Sequence, residues 1–122
     1  MSDDDEIDEV MAGLRAQFRL RLKVDGDAMR DALRALAAET SVDARRAALK
    51  QLLGAAHRLS GSAASFGFAA IGDAAAPVEE ALRAALDAGG ALAVPATLAP
   101  LVGELLALCD AAKPKEDSPP RQ

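Results

Sequence analysis

Aromatic residues are nearly missing from this 122-residue chain, which has no tryptophan, no tyrosine and three phenylalanines. With so few rings, stacking recognition of single-stranded nucleic acid is excluded. Cysteine occurs once, as Cys109, so the chain has neither a disulfide framework nor a cysteine-based zinc site. Histidine also occurs once, so a metal site would need carboxylates almost alone, and none is expected. A basic excess is lacking: 14 Lys and Arg stand against 19 Asp and Glu, for a net charge of −5. That balance opposes binding to a phosphate backbone. No apolar run approaches the roughly 20 residues that span a bilayer. The acidic start, Ser2 to Glu6, lacks the basic-then-apolar order of a signal peptide. These absences predict a soluble cytoplasmic domain without nucleic-acid or membrane partners.

What the chain has is alanine and leucine, 30 and 17 residues of them. Both favour helix, and sheet formers are scarce, so β-sandwich, barrel and doubly wound folds are excluded. Apolar spacing and breakers predict five helices. The first runs from about Asp5 to Leu22, with Ile7, Val10, Met11, Leu14, Phe18 and Leu22 on one stripe. Asp25-Gly26-Asp27 reads as a turn or a kink before a second helix, Ala28 to Glu39, carrying Met29, Leu33 and Leu36. A third, about Asp43 to Phe66, has Ser41 or Asp43 as cap and Gly67 as stop. A fourth, Phe68 to Ala88, presents Phe68, Ile71, Val78, Leu82 and Leu86, with a kink or short break expected near Pro77. Gly89-Gly90 ends it, and a last helix, from Pro95 or Ala96 to Ala112, carries Leu98, Leu101, Leu105 and Leu108.

One-sided stripes and short connections predict an all-α, antiparallel four-helix bundle with an additional N-terminal helix, spanning 1–112. Residues 113–122, rich in proline and polar groups, predict a disordered tail. A monomer is expected. The acidic N-terminus and this tail favour a free-standing protein over a domain cut from a larger kinase.

In the third helix Leu52, Ala56, Leu59, Ala63 and Phe66 form the seam expected to be buried. His57 is turned about 100° from Ala56, on the flank or solvent side. Around it stand Gly54, Ser60, Gly61 and Ala64 instead of the long charged residues usual on an exposed helix face. Each glycine costs a helix interior roughly 1 kcal/mol relative to alanine. Two readings are open. The glycines admit a neighbouring helix of the same bundle, or they clear space around the imidazole for a second protein.

The stretch from His57 to Phe68, HRLSGSAASFGF, resembles the phosphoacceptor motif of histidine-containing phosphotransfer (HPt) domains. It is most similar to the version in the N-terminal domain of chemotaxis histidine kinases. The family pattern is His, any residue, an aliphatic, usually Lys, then Gly, two small residues, and a second Gly ten residues after the His. His57, Leu59, Gly61, Ser62, Ala63 and Gly67 fit it, and the likeness runs through Ile71 and Val78 to Glu79. The resemblance implies that His57 is the phosphoacceptor and that Glu79 orients its imidazole. Ser60 departs from the pattern, standing where the family carries the Lys that lies near the phosphoryl group. Arg58 beside the His and Arg83, 26 residues after it, are the candidate replacements.

An imidazole suits such a relay because its ordinary pKa near 6.5 leaves it largely neutral and nucleophilic at pH 7. A carboxylate on Nδ1–H would fix the tautomer with the Nε2 lone pair outward. The chain has no Gly-rich phosphate loop and no Asp cluster suited to Mg²⁺ at His57, so it is expected to be a phosphoryl carrier without autonomous kinase activity. The resemblance implies response-regulator receiver domains, which bring the Mg²⁺, and a hybrid or chemotaxis-type histidine kinase as partners in a bacterial phosphorelay. Two alternatives stand beside this: a pseudo-HPt that binds receiver or kinase domains unphosphorylated, and a helical adaptor in which His57 is incidental. Glu79-Glu80 is not expected to be a catalytic pair, and Cys109 on its Leu-rich helix is expected to be buried and inert.

Overall fold

A computed structural model describes residues 3–38, 41–88 and 96–112. The chain is all-α. Helix α1 runs Asp3–Ala38, α2 Val42–Ser62, α3 Ala69–Asp87 and α4 Leu98–Ala112, with a 3-10 turn, Ala63–Phe66, between α2 and α3. Each helix packs on the next and α4 returns to α1, which closes an up-and-down bundle; α2 and α3 share the most extensive face. The Gly89-Gly90 stop, Glu39, Pro95 and the 113–122 tail lie outside the described residues.

The separate N-terminal helix is not found. Asp25-Gly26-Asp27 neither turns nor kinks the chain out of helix, and the first two expected helices are one α1 of 36 residues. The bundle-facing residues of α1, Phe18, Leu22, Asp25, Met29 and Ala32, keep helical period straight through the Asp-Gly-Asp triplet. Asp25 is buried where it meets Arg58 of α2. Gly26 is buried too, and a Cβ there would come within 4.0 Å of Leu106 on α4. Both residues therefore act as packing positions, which local turn propensity does not reveal. At 1.5 Å per residue α1 is about 54 Å long, against about 32 Å for α2. Its N-terminal residues 3–10 are exposed throughout and extend past Phe18, where α1 meets the 3-10 turn.

Ser41 caps α2, its hydroxyl accepting from the Ala44 N–H at 3.1 Å. The α-helix stops at Ser62, four residues short of expectation, because the chain tightens into the 3-10 turn. Gly67, at φ 89°, then closes the turn: its N–H donates to the Ala64 carbonyl, and the Phe68 N–H donates to Ala63. Helix α3 runs unbroken through Pro77, so the short break offered as one alternative is not found. Ile71, Ala75, Val78 and Leu82 hold it to the core, and Asp73, whose carbonyl Pro77 leaves without its donor, is exposed. Helix α4 begins at Leu98, after a turn at Ala96 and Thr97, which puts Pro100 in the first turn where no N–H is required.

The core is leucine filled in by alanine. Leu22, Leu49, Leu52, Leu59, Leu82, Leu98 and Leu105 are buried, and Ala32, Ala55, Ala56, Ala63 and Ala75 bring the helices close. Gly72 extends this at the α2–α3 crossing, where a Cβ would lie 3.7 Å from Ala63 and 3.8 Å from the Leu59 and Ser60 carbonyls. All three phenylalanines gather where α1 leaves the bundle. Phe18 stacks on Phe66 and Phe68, with ring centroids 5.0 and 5.5 Å apart.

Candidate functional site

The helical period that buries Leu52, Ala56 and Leu59 carries His57 to the outer face of α2. Its side chain is 65% exposed, yet one edge is held: Nδ1 lies 2.8 Å from Glu79 Oε2 on α3. The close α2–α3 crossing at Gly72 and Ala63 sets up this reach across the groove. With a carboxylate as partner, Nδ1 carries the hydrogen and donates, which leaves Nε2 with its lone pair on the exposed side.

Glu79 is the centre of a four-residue network. Arg83, one turn further along α3, donates from Nη2 to the same Oε2 at 2.8 Å. Ser60, one turn beyond His57, points its hydroxyl at Glu79 Oε1, 2.8 Å away, and at the His57 carbonyl, 3.1 Å away. The Arg83 hydrogen bond first, then those of His57 and Ser60, hold the Glu79 carboxyl down at about 2, against partial burial, which alone would raise it. The carboxylate is thus ionised at neutral pH.

Four of the residues singled out in the sequence, His57, Ser60, Glu79 and Arg83, are therefore brought together, and Arg58 is not. Its guanidinium turns to α1 and pairs with Asp25 Oδ1, at 2.8 Å from Nη2 and 3.3 Å from Nε. Adjacent positions on α2 diverge, so the arginine beside the histidine clamps α1 while Arg83 serves the histidine's own groove. Among the described residues a Cβ on Gly61 would meet nothing within 4 Å, and one on Gly54 only Arg58 of its own helix, at 3.4 Å. Neither glycine admits a neighbouring helix, so that reading is set aside. Gly61 and Ala64 are exposed, and the surface beside the imidazole is bare. Gly61 lies in the last turn of α2, where helix termination lowers the cost of a glycine.

One residue escaped the sequence reading, and the role of another was misjudged. Asp25 sits on the apolar stripe of α1 between Leu22 and Met29, and a carboxylate there signalled a buried partner rather than a turn. Ser60 registered only as a missing lysine, whereas its hydroxyl is the third ligand of the Glu79 carboxylate. Cys109 is buried and its thiol is pushed up to about 11, by burial first and by the nearby Asp110 and Asp25 carboxylates next. Among the described residues no three His, Cys, Asp or Glu side chains are grouped to hold a metal ion. None of the described helices is long and apolar enough to cross a membrane.

A family model for the Hpt domain matches residues 6–113, most of the chain. The chain belongs to the Hpt domain family. Hpt domains are phosphocarriers rather than kinases, and membership gives this protein a phosphotransfer-type role in two-component signalling. The family match and the four-helix bundle agree on the fold class. No curated protein and no solved structure gives a significant match to the chain.

Proposed function

We propose that this Hpt domain carries a phosphoryl group on His57 Nε2, between a histidine kinase or a receiver phospho-aspartate and a receiver aspartate. The observation that carries this reading is the single histidine, exposed on one ring edge and held at Nδ1 by an ionised carboxylate. In the forward step the Nε2 lone pair attacks the phosphorus of the acyl phosphate. The N–P bond forms as the P–O bond to the aspartate breaks, and the aspartate leaves as a carboxylate. The hydrogen on Nδ1 stays in place, so the ring becomes a phospho-imidazolium whose positive charge faces Glu79. Transfer onward reverses these changes.

Glu79 is then a positioning residue: it fixes the tautomer and offsets the charge that develops on the ring. Arg83 takes over the cationic part that the family's lysine plays, from α3 instead of α2, and Ser60 keeps the carboxylate in register. Gly54, Gly61 and Ala64 leave room for a receiver to bring its Mg²⁺ and aspartate up to the imidazole. No cofactor of the Hpt domain itself is needed, and the setting is cytoplasmic.

The test is incubation of the protein with a phosphorylated receiver, followed for acid-labile, alkali-stable label. Label is expected on the protein and its loss in His57→Gln. Absence of label, or equal labelling of His57→Gln, overturns the proposal and leaves an unphosphorylated binding module.

A further inference from the structure

The core-facing stripe of α1 does not stop where the bundle stops. Ile7, Val10, Met11 and Leu14 continue the face of Phe18 and Leu22 into the projecting segment. There Ile7 is 58%, Val10 61% and Leu14 38% exposed. At the root of this overhang a recess of about 470 Å³ opens between α1 and α2, lined by Leu14, Phe18, Arg21, Arg58 and Phe66 among others. The recess is apolar at its floor, with two arginines among its walls.

Charge along the same segment is sorted by position. The tip carries six carboxylates between Asp3 and Glu9, and the root carries Arg15, Arg19, Arg21 and Lys23. One helix thus holds both halves of a complementary pair, joined by an apolar stripe and ending at an apolar recess. Such a patch is self-complementary under a two-fold axis.

We propose that the overhang pairs antiparallel with the overhang of a second copy of this chain, forming a two-fold dimer in place of the monomer expected from the sequence. Ile7 of one copy then reaches the recess beside Phe18 and Phe66 of the other, and Met11 lies against Leu14 of the other. Ile7, Met11, Leu14 and Phe18 follow one another at spacings of four, three and four, the seam of a helix pair. On the flanks Asp8 of one copy falls beside Arg15 of the other, and Asp3 beside Arg21. A parallel pair would instead set carboxylates against carboxylates. His57 is not among the residues lining the recess, so the dimer leaves the imidazole for other partners.

Sedimentation equilibrium on the 122-residue protein tests this. Its mass is expected to rise with concentration from 12.5 kDa towards twice that value. Ile7→Asp with Leu14→Asp should stay at one chain mass with unchanged helicity, because both sites are exposed. Arg15→Glu with Arg21→Glu, and separately Asp3→Lys with Asp8→Lys, should each weaken self-association by at least about tenfold. Mixing the two charge variants should restore a heterodimer. A single-chain mass at every concentration, a dimer indifferent to the Ile7 and Leu14 changes, or a mixture that stays monomeric overturns the proposal. So does capture of an isolated receiver domain by the intact stripe without any self-association.

Discussion

A residue's role here follows from which groove its helix position faces. His57 and Arg58 are neighbours in sequence, but one faces α3 and the other α1. The Glu79 carboxylate, with three donors around it, is the electrostatic centre, and its low proton affinity has a consequence for stability. Its folded pKa of about 2 lies below the ordinary 4.5, so the unfolded chain binds the proton more readily. The stabilising contribution is complete above pH 4.5 and is lost as pH falls towards 2. Glu79→Gln lacks that contribution, so its urea midpoint should fall less across this interval than that of the wild type. Arg83 supplies the largest part of the depression. Arg83→Ala should therefore move the Glu79 carboxyl titration, followed by carbon NMR, upward. The nitrogen spectrum of His57 provides a second readout at neutral pH: Glu79→Ala should mix in the Nε2–H tautomer that the wild type suppresses.

Helix ends carry much of the site's geometry at the scale of elements. The α-helix of α2 must stop at Ser62 and turn within Ala63–Phe66 for α3 to return beside His57. Gly67 makes that return possible at φ 89°, a region in which a Cβ is strained. Gly67→Ala should cost about 1–2 kcal/mol in chemical denaturation, although the nearest group to its Cβ, Arg15, is 3.8 Å away and leaves ample space. The cost is backbone conformation rather than collision. Most stripes were legible in the sequence because apolar period 3.6 survives any packing arrangement, as Ile71, Val78 and Leu82 on α3 illustrate. Boundaries were less legible. The Asp25-Gly26-Asp27 triplet has strong turn propensity, yet the ion pair of buried Asp25 with half-exposed Arg58 and contact with α4 keep it helical.

Over the whole molecule, the unequal helix lengths divide the chain into a packed bundle and an uncovered arm. Leu49, Leu52, Leu59 and Leu82 lie at the centre of the bundle, whereas residues 3–10 of α1 are exposed and no described helix covers their apolar face. Amides in that arm should exchange with solvent fastest among the helical residues in dilute solution, and those of central α2 and α3 slowest. If the arm pairs with a second copy, its protection should rise with protein concentration while that of α2 stays constant. Hydrogen-exchange mass spectrometry at two concentrations reads both outcomes.

The amino-acid sequence by itself determined the fold class, the core faces and the histidine on which the proposed function rests. Helix propensity and apolar period are local properties, and a phosphoryl relay needs only the one histidine that the chain possesses. Its near-absence of aromatics acquired a meaning only in three dimensions, where Phe18, Phe66 and Phe68 meet at the mouth of the bundle. Tertiary structure alone decided that α1 is continuous, that Arg58 belongs to Asp25, and that Ser60 is a ligand of the Glu79 carboxylate. Those two pairings join residues 33 and 19 positions apart. Their partners are set by which helix faces lie across a groove, and sequence spacing along one helix does not encode that.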